Sequence, residues 1–313
     1  MLIAVIDLGT NTFNLLVAEV FPNKSFKELY NAKTPVKLGE GGINKNFIAP
    51  APFQRGLEAL RIYANKIKDF KVNKTVAFAT SAIRSASNGS AFIQEAKKET
   101  GLTIQIIQGE EEAELIYYGV KQALSFQKYN SLIMDIGGGS IEFVIANEEK
   151  ILRKHSFDLG AARLLEKFQP SDPIKSNEIA TIENYLKQQT LPLHQGILKF
   201  PVEELIGSSG SFDTFAEIIC HQFHETIDFN VNTSYDFNLV NYYYIHEKLL
   251  SSTKKERLNT KGLIEMRVDM IVIASIFVNF VLQQFTIKKM RLSTYSLKEG
   301  ILWKLTHSSL LNH

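Results

Sequence analysis

The sequence predicts an α/β protein made of two related halves, each a sheet flanked by helices. Three observations lead there. A strand-like run at 2–6 opens the chain and ends in Asp7-Leu8-Gly9-Thr10. The same device returns near the middle, where the run at 132–134 leads into Asp135-Ile136-Gly137-Gly138-Gly139-Ser140. Between and after these, short apolar runs alternate with segments of helical spacing, the pattern of sheets covered on both faces. Recurrence of one unit at two places points to an internal repeat.

Taken in order, 2–6 and 15–20 read as a strand and its return across a tight turn. Phe53, Leu57, Leu60, Ala64 and Ile67 keep the spacing of one helical face. A short buried strand at 75–79 leads into Ser81-Ala82-Ile83-Arg84, and another at 104–107 ends at Gln108-Gly109. Glu110-Glu111-Glu112 then starts a helix with Ile116, Val120, Ala123 and Leu124 on one side. Acidic residues in a first turn suit the helix dipole, so capping alone would account for them. In the second half 143–146 is the return strand, and helices are predicted at 164–168 and 176–189, around the Pro170/Pro173 break. A strand at 204–206 ends at Gly207-Ser208-Ser209-Gly210-Ser211, which opens a helix over 212–220. A buried helix at 266–285, a strand at 290–293 and a final helix at 297–305 complete the pattern; 225–262 gives no clear assignment. No linker-like stretch separates the halves, so the boundary near 125–130 is expected to be a hinge beside a ligand-holding cleft.

The bulk numbers narrow the classes. The 313 residues are 45% hydrophobic and 22% charged, ordinary for a globular protein with a sizeable core. A formal net charge of +2 gives no general attraction to nucleic acid or membrane, and neither is expected as a partner. The most apolar stretch, 270–282, contains Ser275 and Asn279 and is shorter than the roughly 20 residues of a membrane span. The opening M-L-I-A-V-I-D lacks a basic start and a cleavage site, and a single cysteine, Cys220, suits a reducing compartment; a cytoplasmic location is expected. Cys220 lies in an apolar run and reads as a buried structural thiol.

The chemistry gathers at the glycine-rich turns. Backbone N–H groups can approach phosphate oxygens there because glycine places no side chain in the way. Asp7 to Thr12, Asp135 to Ser140 and Gly207 to Ser211 form three such segments. G-x-x-x-x-G-K-[ST] is absent, and Glu142 stands where G-x-G-x-x-G needs its last glycine, so P-loop and dinucleotide folds are disfavoured. Asp7 and Asp135 end their strands at the turns, where a hard cation bridging phosphate oxygens could be held. A hairpin could return Glu142 to the same place. Glu111 or Glu112 could orient an attacking water. Arg84 suits phosphate oxygens as a bidentate clamp, with an ion pair as its ordinary alternative. His155, His194, His221, His224 and His246 lack paired zinc spacing, although His221-x-x-His224 comes near it.

Together these segments resemble the exopolyphosphatase and guanosine pentaphosphate phosphohydrolase family. The likeness rests on A-V-I-D-L-G-T-N-T-F (4–13), A-T-S-A-I-R-S-A-S-N-G (79–89), I-I-Q-G-E-E-E-A-E-L-I-Y (106–117), M-D-I-G-G-G-S-I-E (134–142), L-G-A-A-R-L (159–164), G-S-S-G-S (207–211) and S-L-K-E-G (296–300). They occur in family order over nearly the whole chain. The resemblance implies two actin-like (ribonuclease H-like) lobes, each a mixed sheet flanked by helices, with an interlobe cleft. It implies a first lobe over 1–125, with the final helix, about 297–313, packing back onto it, and a second over 126–313. By motif position it implies Glu111 as the water-activating glutamate and Arg84 as a substrate-phosphate arginine. Asp135 and Glu142 would stand near a divalent metal, Mg2+ or Mn2+, with Asp7 as a further metal carboxylate. Asp7, Gly9, Thr10, Asn11 and Thr12, then Gly137, Gly138, Gly139 and Ser140, then Gly207, Ser209, Gly210 and Ser211 would bind substrate.

The implied activity is release of terminal orthophosphate from inorganic polyphosphate, with guanosine pentaphosphate as the alternative substrate and a homodimer as the assembly. A kinase of the same fold, or a polyphosphate or alarmone binder without catalysis, are the readings from other classes. Lys37 stands where arginine is common in the family, and G-S-S-G-S replaces the usual G-T-G-G-T. Longer members continue into a helical domain that extends a polyanion channel, so processive action on long chains is not implied.

Overall fold

The computed structural model describes residues 1–229 and 231–307. Its elements run β1 (Leu2–Leu8), β2 (Thr12–Val20), β3 (Phe26–Pro35), α1 (Pro50–Asp69), β4 (Lys74–Ala79), α2 (Ser81–Ser85), α3 (Gly89–Thr100), β5 (Ile104–Ile106) and α4 (Gly109–Ala123). There follow β6 (Ser131–Ile136), β7 (Ile141–Ala146), β8 (Ile151–Phe157), α5 (Ala161–Phe168), α6 (Ser176–Gln189), α7 (Leu191–Lys199), β9 (Glu204–Ser208) and α8 (Ser209–Phe223). The chain closes with β10 (Ser234–Phe237), α9 (Leu239–Ser251), α10 (Lys254–Leu258), α11 (Ile271–Gln284), β11 (Met290–Ser293) and α12 (Leu297–His307).

Two compact units emerge. One holds Met1–Gly119 and the helix that begins at Leu297; the other holds Val120–Ser296. The first unit has a five-stranded sheet in the order β3-β2-β1-β4-β5, in which β1–β2–β3 are antiparallel and β1–β4–β5 parallel. The second has the order β10-β11-β9-β6-β7-β8, with β6–β7–β8 antiparallel and β6–β9–β11 parallel. Reading β6 for β1, β7 for β2, β8 for β3, β9 for β4 and β11 for β5, the two sheets have one topology. The second adds only β10 at an edge.

Local sequence accounts for most of this. β6 and β7 are buried at every position, as strands covered on both faces must be, and apart from Ser131, Asp135 and Glu142 they are apolar. On α1, Leu57, Leu60, Tyr63, Ala64 and Ile67 enter the first core, and the Tyr63 hydroxyl donates to the Phe13 carbonyl and lies in hydrogen-bond contact with Thr34 Oγ1, each at 2.8 Å. α11 is buried on nearly all sides and packs against α5, α6 and α9, so its lack of a polar face is a consequence of its central position. α12 packs against β1, making the last helix part of the same unit as the first strand. Cys220 is buried, and burial, with Glu225 and Glu217 nearby, pushes its thiol up to about 11.

Some expectations change. The helix anticipated over 266–285 starts only at Ile271, after a short 3-10 turn at Glu265–Arg267. The Val268 carbonyl accepts from Arg257 Nε at 3.1 Å, a tie from outside the helix ahead of its first turn. The unassigned stretch 225–262 contains β10, α9 and α10. β3 escaped notice because it is an edge strand with a largely exposed, polar pattern. Of the final helix expected over 297–313, Leu297–His307 is helical and 308–313 lie outside the described residues. Among the described residues, no helix is long and apolar enough to cross a membrane.

Candidate active site

In the first unit the β1–β2 turn is closed by Gly9 N donating to the Thr12 carbonyl at 3.1 Å. Asp7, at the strand end, accepts from Asn14 Nδ2 at 2.8 Å. Thr10 is buried, and its carbonyl accepts from Gly39 N; the Asn11 carbonyl accepts from Val36 N and Lys37 N. Lys37 itself has a left-handed φ of 49°. The segment carrying the lysine is thereby tied by its backbone to the turn.

Arg84, on the short helix after β4, donates from Nη1 to Glu112 Oε2 and to the Ile107 carbonyl, both at 2.9 Å. The three glutamates at the start of α4 thus part company. Glu110 is exposed. Glu111 is 45% exposed and accepts from Lys304 Nζ on α12 at 3.2 Å. Glu112 is 7% exposed and joined to Arg84. Motif register points to Glu111, whereas packing puts Glu112 beside the candidate phosphate arginine.

The second unit repeats the turn. Gly137 N donates to the Ser140 carbonyl at 3.1 Å, matching Gly9 and Thr12. The carbonyls of the three glycines are all taken by the first turn of α5. Gly137 O accepts from Ala161 N, Gly138 O from Ala162 N and Arg163 N, and Gly139 O from Arg163 Nε. No described residue accepts from the amides of Gly138, Gly139 or Ser140. A loop whose carbonyls are engaged and whose amides have no partner among the described residues can cradle an anion. Gly160 makes this possible by close approach: a Cβ there would lie 2.3 Å from the Gly138 carbonyl and 2.4 Å from Gly139 N.

Asp135 and Glu142 are directly opposed in the β6–β7 ladder, and both are buried, at 5% and 1% exposure. Glu142 Oε1 accepts from Ser156 Oγ at 2.7 Å. Asp135 Oδ2 accepts from Ser208 Oγ and Ser209 Oγ at 2.7 Å and from Ser296 Oγ at 2.5 Å. Burial pushes the Asp135 carboxyl above the usual carboxylate range; the three hydroxyls, Ser296 foremost, pull it back, and Asp213 adds to the rise.

The third segment joins β9 to α8. Ser209, Gly210 and Ser211 form the first turn of a 15-residue helix, where amides are left open by helix geometry. Arg267 lies against it, so close that a Cβ on Gly210 would be 1.8 Å from Nη2, and Nη1 donates to Thr214 Oγ1 at 2.6 Å. Burial lowers the Arg267 guanidinium from its ordinary value, and Asp213 opposes this.

Sequence reasoning passed over Ser208, Ser296, Ser156, Arg163 and Arg267. Ser296 and Arg163 lie in quoted motifs, and strand alternation could have flagged Ser156 opposite Glu142. Nothing around Arg267 marks it. Among the described residues no three His, Cys, Asp or Glu side chains cluster as a ready-made metal cage. Asp7 belongs to the first unit, Asp135 and Glu142 to the second.

Two units of one topology, each opening on an Asp–x–Gly hairpin, make a duplicated α/β protein with glycine turns of a kind that can hold phosphate. The chain belongs to the Ppx/GppA phosphatase family, whose model matches residues 16–309. It is therefore a hydrolase of the phosphatase class, with the two-unit α/β fold of Ppx/GppA structures. An exopolyphosphatase from Cytophaga hutchinsonii is similar at 39% identity, with a TM-score of 0.95 over 98% of each chain. The Ppx/GppA family member of Aquifex aeolicus shares the fold, with a TM-score of 0.80 and 23% identity over 100% of this chain and 99% of the other.

Proposed function

We propose that the protein is an exopolyphosphatase, releasing terminal orthophosphate from inorganic polyphosphate. The observation that carries phosphate binding is the second loop, with its carbonyls engaged and its amides open. Polyphosphate is favoured over guanosine pentaphosphate by the 39% identity to an exopolyphosphatase over 98% of both chains.

A divalent metal fits the residues present. Asp135, Glu142 and the surrounding serines offer only hard oxygen donors, and Mg2+ commonly takes one or two carboxylates, several waters and substrate phosphates instead of a full protein cage. Asp135 and Glu142 would hold it, and it would supply neutralisation of phosphate charge. The chain's own groups do the rest. Open amides of Gly138, Gly139 and Ser140, and the first turn of α8, bind phosphate oxygens; Asp7 to Thr12 form the corresponding loop of the first unit. Arg84 neutralises charge that builds on the phosphoryl oxygens. A carboxylate at the start of α4 takes a proton from water while the water oxygen bonds to the terminal phosphorus. The bond to the bridging oxygen breaks, and its electron pair stays on the shortened chain. Glu112 is the better placed base, because it shares the setting of Arg84.

Phosphate release from tripolyphosphate, long polyphosphate and guanosine pentaphosphate, with and without Mg2+, tests this. Mg2+-dependent release from polyphosphate is expected. Release only from guanosine pentaphosphate would replace the substrate. Release from none, or transfer to an acceptor with ATP, would overturn the hydrolase mechanism.

A further inference from the structure

Asp135 is held in an unusual way. Three hydroxyls, from Ser208, Ser209 and Ser296, donate to the single oxygen Oδ2, while Oδ1 accepts from none of the described residues and is not among the fully enclosed polar atoms. The donors come from the end of β9, the start of α8 and the residue before α12. One carboxylate oxygen is thus tied inward, and the other is left for a ligand.

Ser209 is the distinctive member. Its φ of 67° lies in the left-handed region, which disfavours any residue with a Cβ. Glycine would fit that backbone without strain. A serine there holds its conformation against local preference, and its hydroxyl reaches both Asp135 Oδ2 at 2.7 Å and Ser296 Oγ at 3.3 Å. A strained backbone that delivers one side-chain contact points from geometry to role.

We propose that Ser209 is a positioning residue, whose hydroxyl helps fix Asp135 by Oδ2 so that Oδ1 faces the divalent cation and its phosphate. The inference rests on the hydrolase reading for what the cation does, and only on Asp135 for where it binds. It separates two properties of one residue: the backbone sets stability, and the hydroxyl sets cation affinity.

Two substitutions separate them. Ser209→Gly removes the hydroxyl and the strain; Ser209→Ala removes the hydroxyl and keeps the strain. Mn2+ is titrated by electron paramagnetic resonance into each full-length protein, with and without imidodiphosphate, alongside thermal melting and the Mg2+ dependence of phosphate release. Both variants are expected to weaken Mn2+ binding and raise the half-saturating Mg2+ by about tenfold, the usual loss when a group supporting a metal ligand is removed. Their melting is expected to split, with Ser209→Gly above Ser209→Ala. Parental Mn2+ binding and Mg2+ dependence in Ser209→Gly would overturn the proposal, as would an absence of Mn2+ binding by the parent in both conditions. If the parent binds Mn2+ but releases no phosphate, the hydrolase reading fails, and the Mn2+ titration still decides the role of Ser209.

Discussion

Glu111 and Glu112 are neighbours in one helical turn, yet one faces Lys304 in solvent and the other is enclosed with Arg84. A helix advances about 100° per residue, so adjacent side chains cannot share an environment. The motif register favours Glu111 in this turn, whereas packing puts Glu112 with Arg84. Glu112→Gln is expected to lower kcat for tripolyphosphate by about two orders of magnitude, the ordinary contribution of a general base. Glu111→Gln is expected to stay within a few fold of the parent. A large loss confined to Glu111→Gln would return the role to that residue. Gly160 makes the second residue-scale case. A methyl group there must displace the Gly138–Gly139 backbone, so Gly160→Ala is expected to cut kcat/KM by about a hundredfold, the scale associated with roughly 1 Å of misplacement. Kinetics near those of the parent would show that the loop's position does not matter.

Among the elements, α9 and α11 meet across an enclosed polar contact. His246 Nδ1 and Ser275 Oγ are 2.6 Å apart, with the Tyr242 ring stacked on the imidazole and its hydroxyl donating to the Ser275 carbonyl. Burial lowers His246 below its ordinary value of 6.5, and Glu247 partly opposes this. Below pH 6.5 the unfolded chain then binds a proton that the folded chain resists, so stability falls as the pH drops from there. Melting temperatures across pH 5–8 are expected to decline on the acid side, and less steeply in His246→Gln. Equal slopes would remove His246 as the cause. Legibility differed among elements for physical reasons. β6 and β7 are buried throughout and α11 on nearly all sides, and each announces itself by a mostly apolar run. β3, an exposed edge, and α9, whose buried Tyr242 and His246 sit among polar neighbours, do not. Asp7 and Asp135 were readable because a carboxylate before a glycine turn is a local pattern. The ring of hydroxyls on Asp135 was not, since Ser208 and Ser296 lie far apart in sequence and only strand order unites them.

For the whole molecule, one topology used twice explains why two distant segments carry the same hairpin hydrogen bond. It also locates the differences. The second unit alone has β10 and the serine-loaded aspartate, whereas the first alone is discontinuous, with α12 lying beside β1. A chain ending at residue 296 keeps every residue of the second unit and lacks α12. It is expected to show, by calorimetry, an early melting transition from the first unit ahead of a transition close to that of the parent for the second. A single unchanged transition would count against α12 as an integral part of the first unit.

That discontinuity has a consequence for how the protein is made. A ribosome releases β1 before the second unit and α12 after it. The first unit therefore lacks the helix that packs against β1 until the whole second unit has been synthesised. Asp135 waits as well, because Ser296 emerges just ahead of α12. The unit whose first strand emerges ahead of the other unit is thus the one whose last helix emerges after it.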